Sequence, residues 1–422
     1  MTTEPQGPVY MCYDAALQEE PLARKVAFPP ASAAPTPSPM APDPAALRLI
    51  ADKLLAASHP MLLAEYAGRR SGGFESMVAL AETAGTAVWD VNSALNFPNK
   101  HPLCLSMDKA SLRSTDLVVG LDVNDWEKQL TELDSAKRTR EPLTPASCDF
   151  VEIGFGEINI SKWAFDYCRM QPCSVRVLDT ALAIPELTRL CRERIAGDAR
   201  LAERIAARKV EIAKRHDAVW AKWQEEARAN WDASPITFAR LALEIWEVIK
   251  HEDWVLAANN LKHQVRKLWD FDRPYRHPGV ELGTATQIGI SLGVALAHKG
   301  TGRIVVDIQP DGDLMFDAGA LWIAAKYEIP MLVVMHNNRA YYNDWEHQIR
   351  MARLRGTDEG KAHIGMDLFG PAPDFATLAR SMGCYGEGPI EEPADIRPAL
   401  ERAIAEVKKG RLALIDTITQ HR

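Results

Sequence analysis

The 422-residue chain is too long for one ordinary domain and long enough for two or three with their own cores. Its 47% apolar and 25% charged residues are those of a soluble globular protein, which excludes the disordered and fibrous classes. A net charge of −8 argues against a nucleic-acid surface, no apolar run reaches bilayer length, and the start lacks the basic and apolar regions of a signal peptide, so the expected location is cytoplasmic, with no nucleic-acid or membrane partner.

Residues 1–25 contain a turn and a short strand candidate, Gly7 to Tyr13. A lone strand needs a sheet to pair with, so it is expected to be disordered or to join a sheet belonging to something else. Residues 26–44 are rich in Pro, Ala and Ser and read as an extended linker. From 45 to 184 helical and strand patterns alternate: helix over Ala45–Ala57, strand Pro60–Ala64, a glycine-rich turn Gly68–Gly73, helix Glu75–Ala84, and strands at Thr86–Trp89 and Asp116–Leu121. That alternation predicts an α/β domain on a parallel sheet. Residues 185–235 are charged and helical and read as an interdomain linker with a solvated face. A second α/β domain is predicted over 236–422, with strands at Trp254–Ala257, Arg303–Ile308, Met331–Val334 and Leu412–Thr417. The fold class is therefore α/β, two doubly wound parallel-sheet domains joined by a helical linker. The seven cysteines are scattered and form no CxxC pair, so they read as reduced, structural thiols.

The chemistry concentrates in the second domain. Ile304 to Ile308 is a β-branched run suited to a buried parallel strand, and it leads into Gln309-Pro310-Asp311-Gly312-Asp313. Phe316 to Tyr327 has helical composition, and Met331 to Met335 is the next strand, followed by His336-Asn337-Asn338. This is a βαβ crossover, and ligands of such sheets bind beyond the carboxyl ends of the strands. Asp311 and Asn338, 27 positions apart, are both expected there. A carboxylate and an amide oxygen are hard ligands of the kind Mg²⁺ takes alongside substrate phosphates and a carbonyl. Gly312 admits close backbone approach to a phosphate, and N–H groups opening the following helix attract anions.

These residues resemble the cofactor motif of thiamine diphosphate enzymes, a GDG followed one crossover later by NN. Leu282 to Thr286 with Gly289 to Ala295, and Pro373 to Ala379, resemble flanking segments of the acetolactate synthase and 2-oxo-acid decarboxylase group. Residues 45–105, with Asn96 to Leu103, resemble its central, Rossmann-like domain. The resemblance implies thiamine diphosphate and Mg²⁺ as cofactors. It places Asp311, Asn338 and the Ala340 carbonyl on the metal, and Gly283, Thr284, Ala285, Asp311, Gly312, Asp313, Asn338, Ala340 and Tyr341 on the cofactor. The pattern departs at Pro310, in place of a glycine, and at Asp313, in place of a small residue. Asp313 is expected either to turn away and cap the helix or to weaken cofactor binding.

The resemblance also implies a pyrimidine-binding domain with an activating glutamate, of which residues 1–25 resemble only the final strand. The expectation is a split enzyme, a heterotetramer with a small subunit supplying that domain. The reaction would cleave or form a C–C bond beside a carbonyl. Asp344, six positions after Asn338, is the first acid–base candidate, with Glu346, His263 and His347 behind it. A non-decarboxylating lyase of 2-hydroxy-ketones or 2-hydroxyacyl-CoA and a silent cofactor-binding scaffold remain open. An Asp-x-Asp phosphatase leaves the Asn pair without a role. Gly154-Phe155-Gly156 lacks the full dinucleotide fingerprint.

Overall fold

The computed structural model describes residues 4, 6–92, 95–134, 137, 139–155, 170–261, 263–277 and 285–421. Two five-stranded sheets, all parallel, organise the chain. The first unit contains helices α1 (Ala15–Glu19), α2 (Pro44–Ala56), α3 (Gly73–Ala84), α4 (Lys109–Leu112), α5 (Trp126–Leu130) and α6 (Thr180–Ala196). Its strands are β1 (Pro60–Ala64), β2 (Ala87–Asp90), β3 (Leu117–Leu121), β6 (Asp149–Ile153) and β7 (Val175–Val177), in the order β2-β1-β3-β6-β7. Strands β4 (Thr131–Asp134) and β5 (Thr139–Pro142) form a separate antiparallel hairpin.

Alternation along the strands builds two apolar layers, because successive side chains leave opposite faces of a strand. In β1, Leu62 and Ala64 face a layer with α2, α3 and α6, whereas Met61 and Leu63 face one with Trp126 and Leu130 of α5. Helix α6 thus begins before 185 and belongs to this core through Ala183, Ile184, Leu187 and Cys191, so the stretch read as linker is partly domain. Its charged residues dominate the composition, but the apolar ones recur at helical spacing and turn inward.

Helix α7 (Ala199–Arg228) has 30 residues, about 45 Å of helix, and joins the two units. Arg208 is buried in its first third. Its guanidinium donates to the carbonyls of Ala57 and Leu54, which end α2, and of Ala84 and Gly85, which end α3. One side chain thereby satisfies the orphan carbonyls of two helix C-termini.

The second unit has α8 (Phe238–Ile249), α9 (Gln264–Leu268), α10 (Gln287–Ala297), α11 (Asp311–Leu314), α12 (Ala320–Lys326), α13 (Tyr342–Arg355), α14 (Phe375–Ser381) and α15 (Ile396–Lys408). Its strands β8 (Trp254–Ala258), β9 (Ile304–Pro310), β10 (Met331–Asn337), β11 (Tyr385–Ile390) and β12 (Leu412–Ile418) lie in the order β11-β12-β10-β9-β8. Val305, Val333 and Leu414 face α10, α12 and α14, while Val306, Val334 and Ile415 face α8 and α15. Helices thus cover both faces, as a parallel sheet requires. Asn99 fastens the units together: its amide donates to the Arg266 and Trp269 carbonyls at 3.1 and 2.9 Å and accepts from the Phe271 N–H at 2.9 Å.

Residues 6–14 form no strand within this chain, and Val9, Tyr10, Met11 and Tyr13 are exposed. Among the described residues no helix is long and apolar enough to cross a membrane.

Candidate functional site

Strands β9 and β10 pair in parallel with Pro310 opposite His336, which brings the residues following each strand side by side. Pro310 has φ −76° and ψ 147°, ordinary extended backbone. No left-handed conformation is needed there, so a proline, whose ring fixes φ near this value, fits where the related motif has glycine. The helix expected over Phe316–Tyr327 is shorter, α12 starting after Gly319, and a separate short helix, α11, starts at Asp311 itself.

Asp311 is 1% exposed, and its carboxylate is held by backbone: Oδ1 accepts from the Gly312 N–H at 2.8 Å and Oδ2 from the Ala340 N–H at 3.1 Å. Asn338 Oδ1 accepts from the same Ala340 N–H at 3.0 Å. One N–H thus gathers the two side-chain oxygens within about 6 Å of each other. Burial pushes the Asp311 carboxyl up to about 7, against the pull of these N–H groups.

The two asparagines divide their work. The Asn337 amide donates to Asp416 Oδ1 at 2.9 Å, and its oxygen accepts from the Arg339 N–H at 3.1 Å. Asn337 therefore fixes the turn, in which Arg339 has φ 56°, and leaves Asn338 to face Asp311. A segment with no motif of its own, residues 363–368, clamps that turn from outside. Tyr341 N–H donates to the Met366 carbonyl at 2.8 Å and Leu368 N–H to the Arg339 carbonyl at 2.8 Å.

Asp313 turns away from this pair. Its carboxylate accepts from the backbone N–H of Ala285 and from Gln309 Nε2, the latter at 3.2 Å. It ties the loop before α10 to the end of β9 and caps neither end of α11. Ala285 sits at φ 68°; Gly283 and Thr284 lie outside the described residues. Beneath, Gln287 Nε2 donates to Asp307 Oδ1 at 2.9 Å, and burial pushes this second carboxyl up to about 7. Asp416 is pushed up to about 6 by burial. Sequence reasoning passed over Asp307 and Asp416, although an aspartate inside an apolar strand run is itself a signal.

The acid–base candidates are less concentrated. Asp344 and His347 are exposed on α13; Glu346 is half-buried and pairs with Arg350 at 3.4 Å. His263 is exposed at the start of α9 on another element. Among the described residues no group of three or more His, Cys, Asp or Glu is arranged for a metal. A site of one carboxylate, one amide oxygen and a turn carbonyl does not depend on such a group. That donor set, with a buried carboxylate facing only neutral donors, fits a hard cation carrying phosphate oxygens.

Residues 260–417 match the family profile "Thiamine pyrophosphate enzyme, C-terminal TPP binding domain". This part of the chain is similar to the cofactor-binding domain of thiamine diphosphate-dependent enzymes. The domain that this profile describes binds thiamine pyrophosphate, the same compound as thiamine diphosphate. The chain is 27% identical over 177 residues to the acetolactate synthase isozyme 3 large subunit of Escherichia coli K12, a match covering 41% of this chain and 29% of that protein. Its fold is that of the thiamine diphosphate-dependent 4-hydroxybenzoylformate decarboxylase of Rhodococcus jostii RHA1, with TM-score 0.65 and 18% identity over 93% of this chain and 68% of that one. The benzoylformate decarboxylase of Polynucleobacter necessarius is similar, with TM-score 0.63 and 17% identity over 94% and 68%. The matched region spans less than a third of the length of the Escherichia coli relative.

Proposed function

We propose that this chain is the diphosphate- and Mg²⁺-binding subunit of a thiamine diphosphate-dependent enzyme that cleaves or forms a carbon–carbon bond beside a carbonyl. A second subunit supplies the pyrimidine-binding domain and its activating glutamate. The observation that carries the reading is the Ala340 N–H shared by Asp311 and Asn338 at the carboxyl ends of adjacent strands.

In this reading Asp311, Asn338 and the Ala340 carbonyl hold Mg²⁺, and Gly312, Tyr341 and the loop at Gly283, Thr284 and Ala285 border the cofactor. When bound, thiamine diphosphate supplies an electron sink for the bond broken next to the carbonyl. The chain's own part is positional. A cation at Asp311 favours the ionised carboxylate against its burial, and Asn337 and Asp313 keep the two flanking loops in place. Asp344, Glu346 and His347 ride on α13, which opens two residues after Ala340, and in this reading would move protons at the mouth of the site. His263 is the outlying candidate.

The partner is supported by what the chain leaves uncovered. Met315, Phe316, Trp322 and Ile323, at the end of α11 and on α12, are 42–59% exposed beside the motif. Val9, Tyr10 and Met11 of the amino-terminal arm are 57–93% exposed. Apolar surface of this kind marks interaction sites. The two decarboxylases named above take benzoylformates, which are 2-oxo acids, so 2-oxo acids are the first substrates to offer.

Calorimetry with thiamine diphosphate and Mg²⁺, on the chain alone and with the product of an adjacent gene, tests the reading. Binding that needs both ligands, and consumption of a 2-oxo acid only with the partner, are expected. No binding in either preparation sinks the cofactor role; full activity of the isolated chain sinks the split architecture.

A further inference from the structure

A glycine next to a phosphate site is ordinarily credited to the ligand, which needs close backbone approach. At Gly312 the space is already taken. A Cβ built there stands 2.5 Å from Cε1 and 2.6 Å from Cδ1 of Tyr341, contacts no real side chain makes. The clash is with the body of the ring, and the backbone that carries the ring is pinned. Tyr341 N–H donates to the Met366 carbonyl at 2.8 Å, and its carbonyl accepts from Trp345 N–H at 3.0 Å as α13 begins. Phe316 lies against the ring, with centroids 5.9 Å apart. Immediately before Tyr341 comes Ala340, whose N–H joins Asp311 to Asn338.

We propose that Gly312 is required as the seat of the Tyr341 ring, and that the seated ring is a positioning device holding the Asp311 and Asn338 halves of the motif in register. The two loops also meet at the Asp311 carboxylate, which takes the Ala340 N–H that it shares with Asn338 and a backbone hydrogen bond from Arg339. Ring-on-glycine packing adds a contact between the residue after Asp311 and the residue after Ala340. A side chain at 312 displaces the ring, and the displacement passes through one peptide unit to the Ala340 N–H. Tyr341 acts through Asp311 and Asn338 and touches no reacting atom in this role.

The test is a double-mutant cycle on the full chain, with Gly312→Ala, Tyr341→Ala, the pair, and Gly312→Ala in a Tyr341→Phe background. Two readouts are taken: thermal melting without cofactor, and thiamine diphosphate affinity in the presence of Mg²⁺. Expected is a drop of several degrees for Gly312→Ala in the native and Tyr341→Phe backgrounds, and almost none in the Tyr341→Ala background. Affinity follows the same pattern, about tenfold weaker with a ring at 341 and less than about twofold without one. Equal melting losses in all backgrounds overturn the seat. Coupled melting with equal affinity losses overturns the transmission to Asp311 and Asn338, and returns Gly312 to the phosphate. The affinity arm rests on the proposed function; a native chain that binds no cofactor sinks that reading, while the melting cycle still decides the seat.

Discussion

Acidic side chains gather near the carboxyl ends of both parallel sheets, and the first unit carries an arginine-paired group that the second unit's motif lacks. In the first unit, Asp122 is ion-paired with Arg69 and accepts from Thr180 Oγ1 at 2.6 Å and Phe155 N–H at 3.2 Å. Asp179 pairs with Arg70 at 3.1 Å, and Glu4 reaches back to both arginines. Each of these carboxylates has a guanidinium. In the second unit, Asp311 and Asp307 are held by backbone and amide N–H groups, and burial pushes both up to about 7. An acid already paired with a guanidinium has no call for a cation, whereas one buried among neutral donors, as Asp311 is, gains from one. In the proposed reading the arginine-paired group of the first unit is scaffold and the Asp311 motif of the second is the site.

The comparison breaks most easily at Asp311. Asp311→Asn keeps the shape and removes the charge, and is expected to weaken thiamine diphosphate binding in Mg²⁺ by about 100-fold, read by calorimetry. Full retained affinity would place the metal elsewhere. The first unit answers with stability instead. Arg208→Met strips four carbonyls of a buried guanidinium, whose pKa burial lowers to about 10, and is expected to cost about 3 kcal/mol in urea unfolding. Asp122→Ala leaves Arg69 and the Thr180 hydroxyl without their carboxylate and is expected to cost about 2 kcal/mol while cofactor affinity stays within about threefold. A large affinity loss there would mean that the arginine-paired group is also part of the site.

The legible parts of the molecule are those whose signal is local. The βαβ pair of β9 and β10 was readable because β-branched runs end in turn residues, and Asp311 and Asn338 follow directly from where such strands stop. Strand β11 was not, since Gly386, Gly388 and Pro389 are poor strand formers. It is an edge strand, where proline is tolerated, and a Cβ at Gly386 would meet the Ala376 carbonyl of α14 at 2.2 Å. The role of Asp313 was out of reach because its partner, the Ala285 N–H, is 28 positions away and is brought near only by folding. The clamp at 363–368 was hidden for the same reason, its contacts being backbone to backbone. The inward face of α6 was obscured by the charges around it.

The effect of pH, small per unit but spread over several, separates the buried acids of the second unit from one another. Asp307 has a folded-state pKa of about 7, raised by burial above the ordinary value of 3.8. The folded chain therefore holds a proton there that the unfolded chain releases, and the associated stability is present at low pH and lost as pH rises toward 7. Asp311 follows the same course without cation. Each group tilts stability by at most about 1.4 kcal/mol per pH unit. Asp307→Asn should flatten the decline between about pH 4 and pH 7, so that the variant gains on the native chain as pH rises, in urea titrations with or without Mg²⁺ and thiamine diphosphate. The Asp311 share should disappear only when both ligands are present, because a cation at that carboxylate lowers its pKa while leaving Asp307 buried. A slope that Mg²⁺ and thiamine diphosphate leave unchanged would detach Asp311 from the metal, and a slope unaltered in Asp307→Asn would mean that the proton resides on another acid of the second unit.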